Sequence, residues 1–419
     1  MRDGRIVQTE HVDRTTVPEL DAQWAAVLRH AVIPFISYPY EWSFTMLKHA
    51  ALLQLDVTLA ALTEGMTLKD ATPFNVQWIG SRATFIDVAS FTRYAPGEPW
   101  AGYRQFCELF LFPLLLIAYK NVPFHFLLRG SLDGISADTC RALMSSRDVL
   151  RPGVLAHVFL QSRAQARLAD SDRDVRGDLQ AAGFGANLIT HNIQRLRRLI
   201  DRLEWKAAAS PWSEYASSHS YDEADRQQKQ AFVRDASATR RWKLVWDLGC
   251  NVGVYSRIAS QYADYVVALD ADHLVIDRLF RDLSAEGRET ILPLVGDLAD
   301  PAPGLGWRGR ERQPLAERGT PELVLVLALV HHLVIGRHIP LPEVIEWLAE
   351  RGADVIIEFV HPHDPMVQRL MRHRAGQAID YTQDTFEAAL SRCFDRLSHQ
   401  TLASGTRTLY HARPKSRVS

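Results

Sequence analysis

The sequence has little cysteine, and none of it is arranged to hold a metal or a disulfide framework. The 419-residue chain contains four cysteines, Cys107, Cys140, Cys250 and Cys393, which are far apart. No CxxC pair and no Cys/His cluster with zinc spacing occurs in the sequence. We therefore expect a protein of a reducing compartment without a structural metal.

The chain also lacks a hydrophobic stretch long enough to span a membrane. The longest apolar run extends only from Phe106 to Tyr119 and contains Glu108 and Pro113, so it predicts a buried helix. The first residues, MRDGRIVQTEHVDRTT, have no apolar segment of the kind found in signal peptides. These absences predict a cytoplasmic protein with no membrane partner.

There is no excess of charge of one sign. The formal net charge is −1, so the overall electrostatics do not favour binding to nucleic acid. The composition, 47% hydrophobic and 23% charged residues, is that of an ordinary globular protein. The length exceeds that of one typical domain and predicts two.

The pattern of apolar residues changes after Trp205. Before it, they recur at helical spacing, as in ANLITHNIQRLRRLIDRLEW, which predicts a mainly α-helical domain over 1–205. Beyond Arg241, short apolar runs alternate with helical segments, which predicts an α/β domain with a parallel sheet over 206–419. The predicted strands are KLVWDL, YVVALD, ILPLV, LVLVLAL, DVIIEF, LSHQTLA and RTLYHA. The last two have hairpin spacing around Gly405 and predict an antiparallel edge.

A glycine-rich turn follows the first predicted strand. Gly249, Asn251 and Gly253 lie where α/β sheets bind ligands, but the third glycine of a dinucleotide fingerprint is missing. Asp247 precedes the turn and would repel a pyrophosphate but attract a cation. Asp270, at the end of YVVALD, has the spacing of an acid that binds a ribose. The turn indicates a cationic nucleoside such as S-adenosylmethionine; the alternative is a turn that only closes a βα unit.

From Trp212 to Arg413 the sequence resembles class I S-adenosylmethionine-dependent methyltransferases. DLGCNVG looks like their first motif, VGD precedes a leucine as in their adenine-binding segment, and LALVHHL matches the segment after their fourth strand. The resemblance implies a Rossmann-like seven-stranded sheet, mostly parallel with an antiparallel last strand. The implied ligands of S-adenosyl-L-methionine are Asp247, Gly249, Asn251, Gly253, Asp270, Asp297 and Leu298.

Two further stretches extend this resemblance. WSEYASSHSYDEADRQQKQAFV resembles the lead-in helix that often closes over the cofactor, which implies that Tyr221 contacts the cofactor. The whole chain, including EFVHPHDPMVQRL, resembles bacterial methyltransferases related to nodulation-type proteins. This wider resemblance identifies no acceptor.

Candidate catalytic residues follow the fourth and fifth predicted strands. His331 and His332 come directly after LVLVLAL, and an imidazole with a near-neutral pKa is a suitable general base. Glu358 closes DVIIEF and is a candidate for binding the acceptor. The alternative is that the histidines only hydrogen-bond the loop. A base is needed only if the acceptor loses a proton, because alignment of donor and acceptor supplies much of the acceleration.

Absent motifs restrict the acceptor. The chain has no N/D-P-P-Y after the fourth strand, as used on the exocyclic amines of adenine and glutamine, and no Pro-Cys nucleophile of the cytosine C5 type. We therefore expect methyl transfer to an O or N nucleophile of a small-molecule, glycan-like or peptide acceptor.

One segment of the first domain weakly resembles the catalytic loop of protein kinases. Asp70 is followed by Asn75, a short hairpin and Asp87, which in that family would be a base and two magnesium ligands. Against this, few residues precede Pro39, no glycine-rich loop or strand lysine is found, and Asp87 is followed by Val-Ala. Two alternatives remain open beside methyl transfer: a non-catalytic scaffold with a degenerate kinase-like lobe, and ATP- and magnesium-dependent phosphotransfer.

Overall fold

The structure is a computed structural model of the chain that describes residues 4–13, 26–96, 98–160, 185–206, 223–372 and 380–415. It contains two compact units, Met1–Ala208 and Ala209–Ser419. The roles expected for the two domains, 1–205 and 206–419, stay predictions.

The first unit combines helices with three small antiparallel sheets. Its described helices are α1 (Phe44–Thr63), α2 (Tyr103–Phe106), α3 (Phe112–Lys120), α4 (His125–Gly130), α5 (Ala137–Leu143) and α6 (Ala186–Asp201). Its strands are β1 (Thr9–Val12), β2 (Val27–His30), β3 (Met66–Leu68), β4 (Val76–Ile79), β5 (Arg82–Phe85) and β6 (Phe91–Arg93). They pair as β1 with β2, β3 with β6 and β4 with β5.

Helices α1 and α6 pack together as their apolar spacing predicts. The hydroxyl of Ser43 caps α1 by accepting a hydrogen bond from the Met46 amide at 3.3 Å. Ile189, Ile193 and other buried residues of α6 supply its apolar face. An ion pair of 2.6 Å between Arg197 and Asp56 joins the two helices. The helical spacing of ANLITHNIQRLRRLIDRLEW is confirmed by α6.

The long apolar run is buried, as expected. A π-helical turn, Cys107–Leu111, joins α2 to α3, and all five of its residues are buried. Among the described helices, none is both long and apolar enough to cross a membrane.

The second unit is a seven-stranded sheet with helices. Its strands are β7 (Trp242–Leu248), β8 (Ala263–Asp270), β9 (Ile291–Val295), β10 (Leu323–Val326), β11 (Asp354–Val360), β12 (Phe394–Thr401) and β13 (Arg407–Pro414). Its described helices are α7 (Glu223–Ser237), α8 (Val254–Ala259), α9 (His273–Ala285), α10 (Leu341–Ala349), α11 (Pro365–Arg372) and α12 (Gln383–Cys393). Central strands such as β10 and β11 are apolar and buried on both faces, as in parallel sheets.

The strand order confirms the predicted fold class. The order is β12-β13-β11-β10-β7-β8-β9; β13 pairs antiparallel with β11 and β12, and the other neighbouring strands of this sheet pair in parallel. From β7 the chain adds strands first on one side, then crosses to β10 on the other side, so the direction of growth reverses between β7 and β10. In open α/β sheets, ligands bind beyond the carboxyl ends of the strands at such a switch point.

The carboxyl ends of the central strands meet at one edge. Leu248 of β7 is paired with Val326 of β10, and Val326 is paired with Ile357 of β11. The residues that follow these three positions therefore converge on the switch point.

One predicted strand is shorter than expected. LVLVLAL predicted a strand to Leu329, but β10 ends at Val326. Ala328 has a φ of 51°, a left-handed conformation that interrupts the ladder. His331 and His332 therefore follow a turn and do not come directly after the strand.

Helix α7 is fastened to the turn between β12 and β13. The carboxylate of Asp225 accepts a hydrogen bond from the Ser404 amide at 2.9 Å, and the side chain of Gln228 accepts one from the Ala403 amide at 2.8 Å. Asp225 is buried. These bonds hold the lead-in helix against the last hairpin of the sheet.

We predict that Asp225→Ala lowers the free energy of unfolding by about 1.5–3 kcal/mol, because a hydrogen bond to a buried charged group is lost. The matched control is Asp235→Ala, because Asp235 is an exposed residue of the same helix. This substitution should change the free energy of unfolding by less than about 0.5 kcal/mol. Urea titration followed by tryptophan fluorescence measures both. Equal midpoints for the two variants would show that the Asp225 contact contributes nothing.

Candidate functional site

The glycine turn after β7 has the left-handed geometry that its residues suggest. The φ angles of Gly249, Asn251 and Gly253 are 74°, 49° and 75°. A Cβ atom on Gly253 would lie 2.6 Å from the side chain of Leu279, so no other residue fits there without displacement. The amides of Gly249 and Cys250 both donate to the carbonyl of Leu269, which fixes the turn against β8. Glycine is therefore required at Gly253 both by the left-handed backbone and by the close approach of Leu279.

Asp247 lies buried behind the turn. Its carboxylate accepts a hydrogen bond of 2.5 Å from the hydroxyl of Ser256 on α8. Burial raises the pKa of Asp247 to about 6, although the Ser256 hydrogen bond opposes the change. The group is therefore a carboxylate at neutral pH and becomes a neutral acid in mildly acidic solution.

Asp270 lies at the carboxyl end of β8, next to the turn. Its two carboxylate oxygens accept hydrogen bonds from the amides of Asn251 and Asp272, each at 2.9 Å. Burial raises the pKa of Asp270, and the backbone hydrogen bonds oppose the change. Each oxygen retains acceptor capacity for a further donor. The tertiary structure therefore brings the predicted ribose acid and the glycine turn together.

Asp297 follows β9 and is less available than the sequence suggests. It accepts a hydrogen bond from the Ala299 amide at 2.9 Å and forms an ion pair of 2.6 Å with Arg337. Leu298 is partly buried beside it. The adenine-binding role of Asp297 and Leu298 stays a prediction. Arg337 would compete with a ligand for the Asp297 carboxylate. Tyr221 lies outside the described residues.

His331 and His332 lie on a distorted turn of helix beyond β10. The π-helical turn His332–Gly336 begins immediately after His331, and the centres of the two imidazole rings are 4.1 Å apart. His331 is 0% exposed, and neither of its ring nitrogens has a hydrogen-bond partner among the described residues. Helical distortions of this kind are frequent at functional sites, and a buried unpartnered imidazole is expensive unless a ligand or water uses it.

The imidazoles are not near-neutral bases, contrary to expectation. Burial, followed by the charges of His332, Arg407 and Lys229, lowers the pKa of His331 well below its usual range. Burial and Arg407 lower the pKa of His332 to about 4. Both rings are therefore neutral at physiological pH, and each is a weaker base than an exposed imidazole.

Glu358 is the centre of a buried charge network. Its two oxygens bind Lys229 of α7 at 2.6 Å and Arg407 of β13 at 3.2 Å, and Arg407 also binds Asp364 at 3.0 Å. Burial would raise the pKa of Glu358, but the charges of Lys229 and Arg407 outweigh it and lower the pKa. Its role in binding the acceptor stays a prediction, since both oxygens already hold cations.

Sequence reasoning missed Lys229 and Arg407. Lys229 is 2% exposed and lies at helical spacing from the buried residues Asp225, Val233 and Ala236. This spacing places the lysine on the inward face of α7 and was a usable signal. Arg407 had no such signal, because it begins a strand that is buried on both faces.

The kinase-like segment lies in the first unit. Asn75 donates a hydrogen bond of 3.2 Å to Asp87 across the hairpin of β4 and β5, whereas Asp70 is exposed at the end of β3. Within the described part of the chain, no group of three His, Cys, Asp or Glu residues is arranged to hold a metal ion. The phosphotransfer alternative stays a prediction.

Similar solved structures include methyltransferases with this kind of sheet. The N-methyltransferase NodS from Bradyrhizobium japonicum WM9 is 11% identical, covering 46% of this chain and 99% of NodS with a TM-score of 0.35. An S-adenosylmethionine-dependent methyltransferase from Aquifex aeolicus is 13% identical, covering 50% of this chain and 100% of that protein with a TM-score of 0.34. Likenesses this low add nothing to what the strand order itself establishes.

The comparison of sequences is decisive for the family. No family model matches the chain. However, it is 34% identical over 410 residues to the nodulation protein NoeA of Rhizobium meliloti strain 1021, covering 97% of this chain and 86% of NoeA. The similarity thus spans both compact units. The chain belongs to the family of the nodulation protein NoeA.

Proposed function

We propose that the second unit transfers a methyl group from S-adenosyl-L-methionine to an O or N nucleophile. The observation that carries the proposal is the contact between Asp270 and the glycine turn, where the Asn251 amide binds the carboxylate at 2.9 Å. This contact brings a left-handed turn, a ribose-type acid and the buried Asp247 together at the switch point of the sheet.

The residues present fit this cofactor. Gly249 and Gly253 adopt the left-handed conformations expected of a cofactor-binding turn. The carboxylate of Asp270 accepts hydrogen bonds from the ribose hydroxyls, and the charge of Asp247 attracts the cationic part of the cofactor. A pyrophosphate would be repelled by the carboxylate of Asp247. The set therefore favours a cationic nucleoside over a dinucleotide.

The reaction needs a neutral base if the acceptor carries a proton. The bound cofactor supplies an electrophilic methyl group on a sulfonium. His331 is the proposed base for the acceptor hydroxyl or amine, because both of its ring nitrogens are unpartnered among the described residues. His332, whose ring lies against that of His331, is the alternative base.

The acceptor is proposed as a small-molecule, glycan-like or peptide compound. The relative NoeA is a nodulation protein, and its name identifies no acceptor. A near-zero net charge supports the absence of a nucleic-acid partner, and a cytoplasmic location without a membrane partner is part of the same proposal. The rival is a non-catalytic scaffold, which binding of the cofactor alone does not exclude. Turnover of an acceptor separates the two.

Calorimetric titration with S-adenosylhomocysteine tests the cofactor. We predict saturable binding to the wild-type chain and an affinity about 10- to 100-fold weaker for Asp270→Asn, which loses charge-assisted hydrogen bonds. Asp264→Asn is the matched control, because Asp264 is an exposed acid at the other end of the same strand. If titration of the wild type gave no heat of binding, the proposal would be overturned. Binding of ATP with magnesium, and its dependence on Asp87, would then be measured.

Binding of S-adenosylhomocysteine should also depend on pH. Asp247 has a pKa of about 6, so it is ionised above pH 6 and loses its attraction for the ligand ammonium below it. The dissociation constant should rise about tenfold per pH unit below 6 and be flat above it, until other groups titrate. Asp247→Asn should remove this slope. If the pH dependence of the dissociation constant persisted in Asp247→Asn, another titrating group would be responsible for it.

Once an acceptor has been found by screening, His331→Gln should lower kcat by about 10²- to 10⁴-fold, the usual contribution of a general base. Its affinity for S-adenosylhomocysteine should be unchanged. The control is His399→Gln, because His399 is exposed on the edge strand β12. Full activity of the His331 variant would transfer the role to His332, and full activity of the double variant His331→Gln/His332→Gln would show that no imidazole base is needed.

A further inference from the structure

Ser256 lies directly against the carboxylate of Asp247. It belongs to the first turn of α8, and its hydroxyl donates a hydrogen bond of 2.5 Å to Oδ2 of Asp247. Both side chains are buried. The backbone amide of Ser256 donates to the same carboxylate. One residue of the helix therefore holds the acid through two hydrogen bonds, of which only one depends on the serine side chain.

The hydroxyl of Ser256 does not follow the usual habit of a serine in a helix. Such a hydroxyl commonly donates to a carbonyl of the preceding turn. Ser260, which ends the same helix, does so: its hydroxyl donates to the carbonyl of Arg257 at 2.9 Å. Ser256 instead donates to a carboxylate of another element, β7. A hydrogen bond to an ionised acceptor is stronger than one between neutral groups, so this hydroxyl favours the charged form of Asp247.

The remaining influences on Asp247 come from the elements packed around it. Burial is the largest influence and raises its pKa, and the side chain of Ser256 is the largest influence that lowers it. The charge of Asp270 on β8 raises the pKa of Asp247 and that of Lys229 on α7 lowers it. Cys250, in the glycine turn, has its own pKa raised by burial and by the nearby carboxylates. Loss of the Ser256 hydroxyl would therefore shift the balance toward the neutral acid.

We infer that Ser256 is a positioning residue of the cofactor site: its hydroxyl holds the Asp247 carboxylate behind the glycine turn and keeps it charged at neutral pH. The inference rests on the proposed function for its purpose, because the charge of Asp247 serves a cationic ligand. The protonation of Asp247 itself is measurable without any ligand. The first turn of α8 thus sets the pH range in which the site attracts a cation.

The first test is nuclear magnetic resonance of the full chain labelled with ¹³C at the aspartate carboxyl groups. Asp247→Asn assigns the signal of Asp247. In the wild type this signal should titrate with a midpoint of about 6. In Ser256→Ala, which removes a hydrogen bond to the charged form, the midpoint should rise by about one pH unit. The matched control is Ser260→Ala, because the Ser260 hydroxyl is bound to a carbonyl, and its midpoint should equal that of the wild type.

The second test is the pH dependence of S-adenosylhomocysteine binding, measured by calorimetry. The pH at which the dissociation constant begins to rise should move upward in Ser256→Ala by the same amount as the midpoint of Asp247. The variant should therefore bind about five- to tenfold more weakly than the wild type between pH 5 and pH 6. A loss of affinity that is equal at every pH would show a purely structural role for Ser256 and overturn the inference.

An unchanged Asp247 midpoint in Ser256→Ala would also overturn the inference. If this variant does not fold, Ser256→Cys takes its place, because a thiol is a weaker donor than a hydroxyl. The Asp247 midpoint should then rise in the same direction, and a midpoint equal to that of the wild type would reject the role of the hydroxyl.

The two measurements separate this inference from the proposed function. Wild-type binding of S-adenosylhomocysteine together with an Asp247 midpoint that ignores Ser256→Ala would reject the role of Ser256 and leave the cofactor site standing. A midpoint that rises in Ser256→Ala, without binding to the wild type, would support control of the Asp247 charge by Ser256 and reject the proposed function.

Discussion

The buried carboxylate of Glu358 is the constraint on which the second unit depends. It is 0% exposed and binds Lys229 and Arg407 at the same time. Removing one partner from a buried ion pair leaves an uncompensated charge, which costs roughly 3–5 kcal/mol. Helix α7, strand β11 and strand β13 are therefore held in one arrangement, and Asp364 extends the network to the start of α11.

This network lies at the edge of the sheet where the strand order reverses. The strands β7, β8 and β9 carry the acids and the glycine turn on one side of the reversal, and β10 and β11 lead to the imidazoles and the charge network on the other. A cationic ligand is favoured on the first side by Asp247 and Asp270. On the second side, cations near His331 favour a neutral ring. The two sides of the sheet therefore differ in their charge: the first carries acids, and the second carries buried cations beside neutral imidazoles.

Two local distortions of the backbone lie between these two sides. Ala328 adopts a left-handed conformation that is unusual for a residue other than glycine, and a π-helical turn follows at His332–Gly336. Together they end β10 early and turn the chain so that His331 enters the interior. Such strain persists only when surrounding packing imposes it. The sequence LVLVLAL gave no sign of it, because its apolar pattern simply continues a strand.

The sequence by itself determined the order of the strands along the chain, the glycine turn and the spacing of Asp247 and Asp270. These depend on short-range patterns: apolar runs predict buried strands, and glycines permit left-handed turns. Only the tertiary structure decided which charges meet. Lys229 and Glu358 are far apart in the chain but form a buried ion pair. Arg337 forms an ion pair with Asp297, and burial lowers the pKa of His331. Long-range pairing and desolvation depend on packing between distant segments, and no local pattern encodes that.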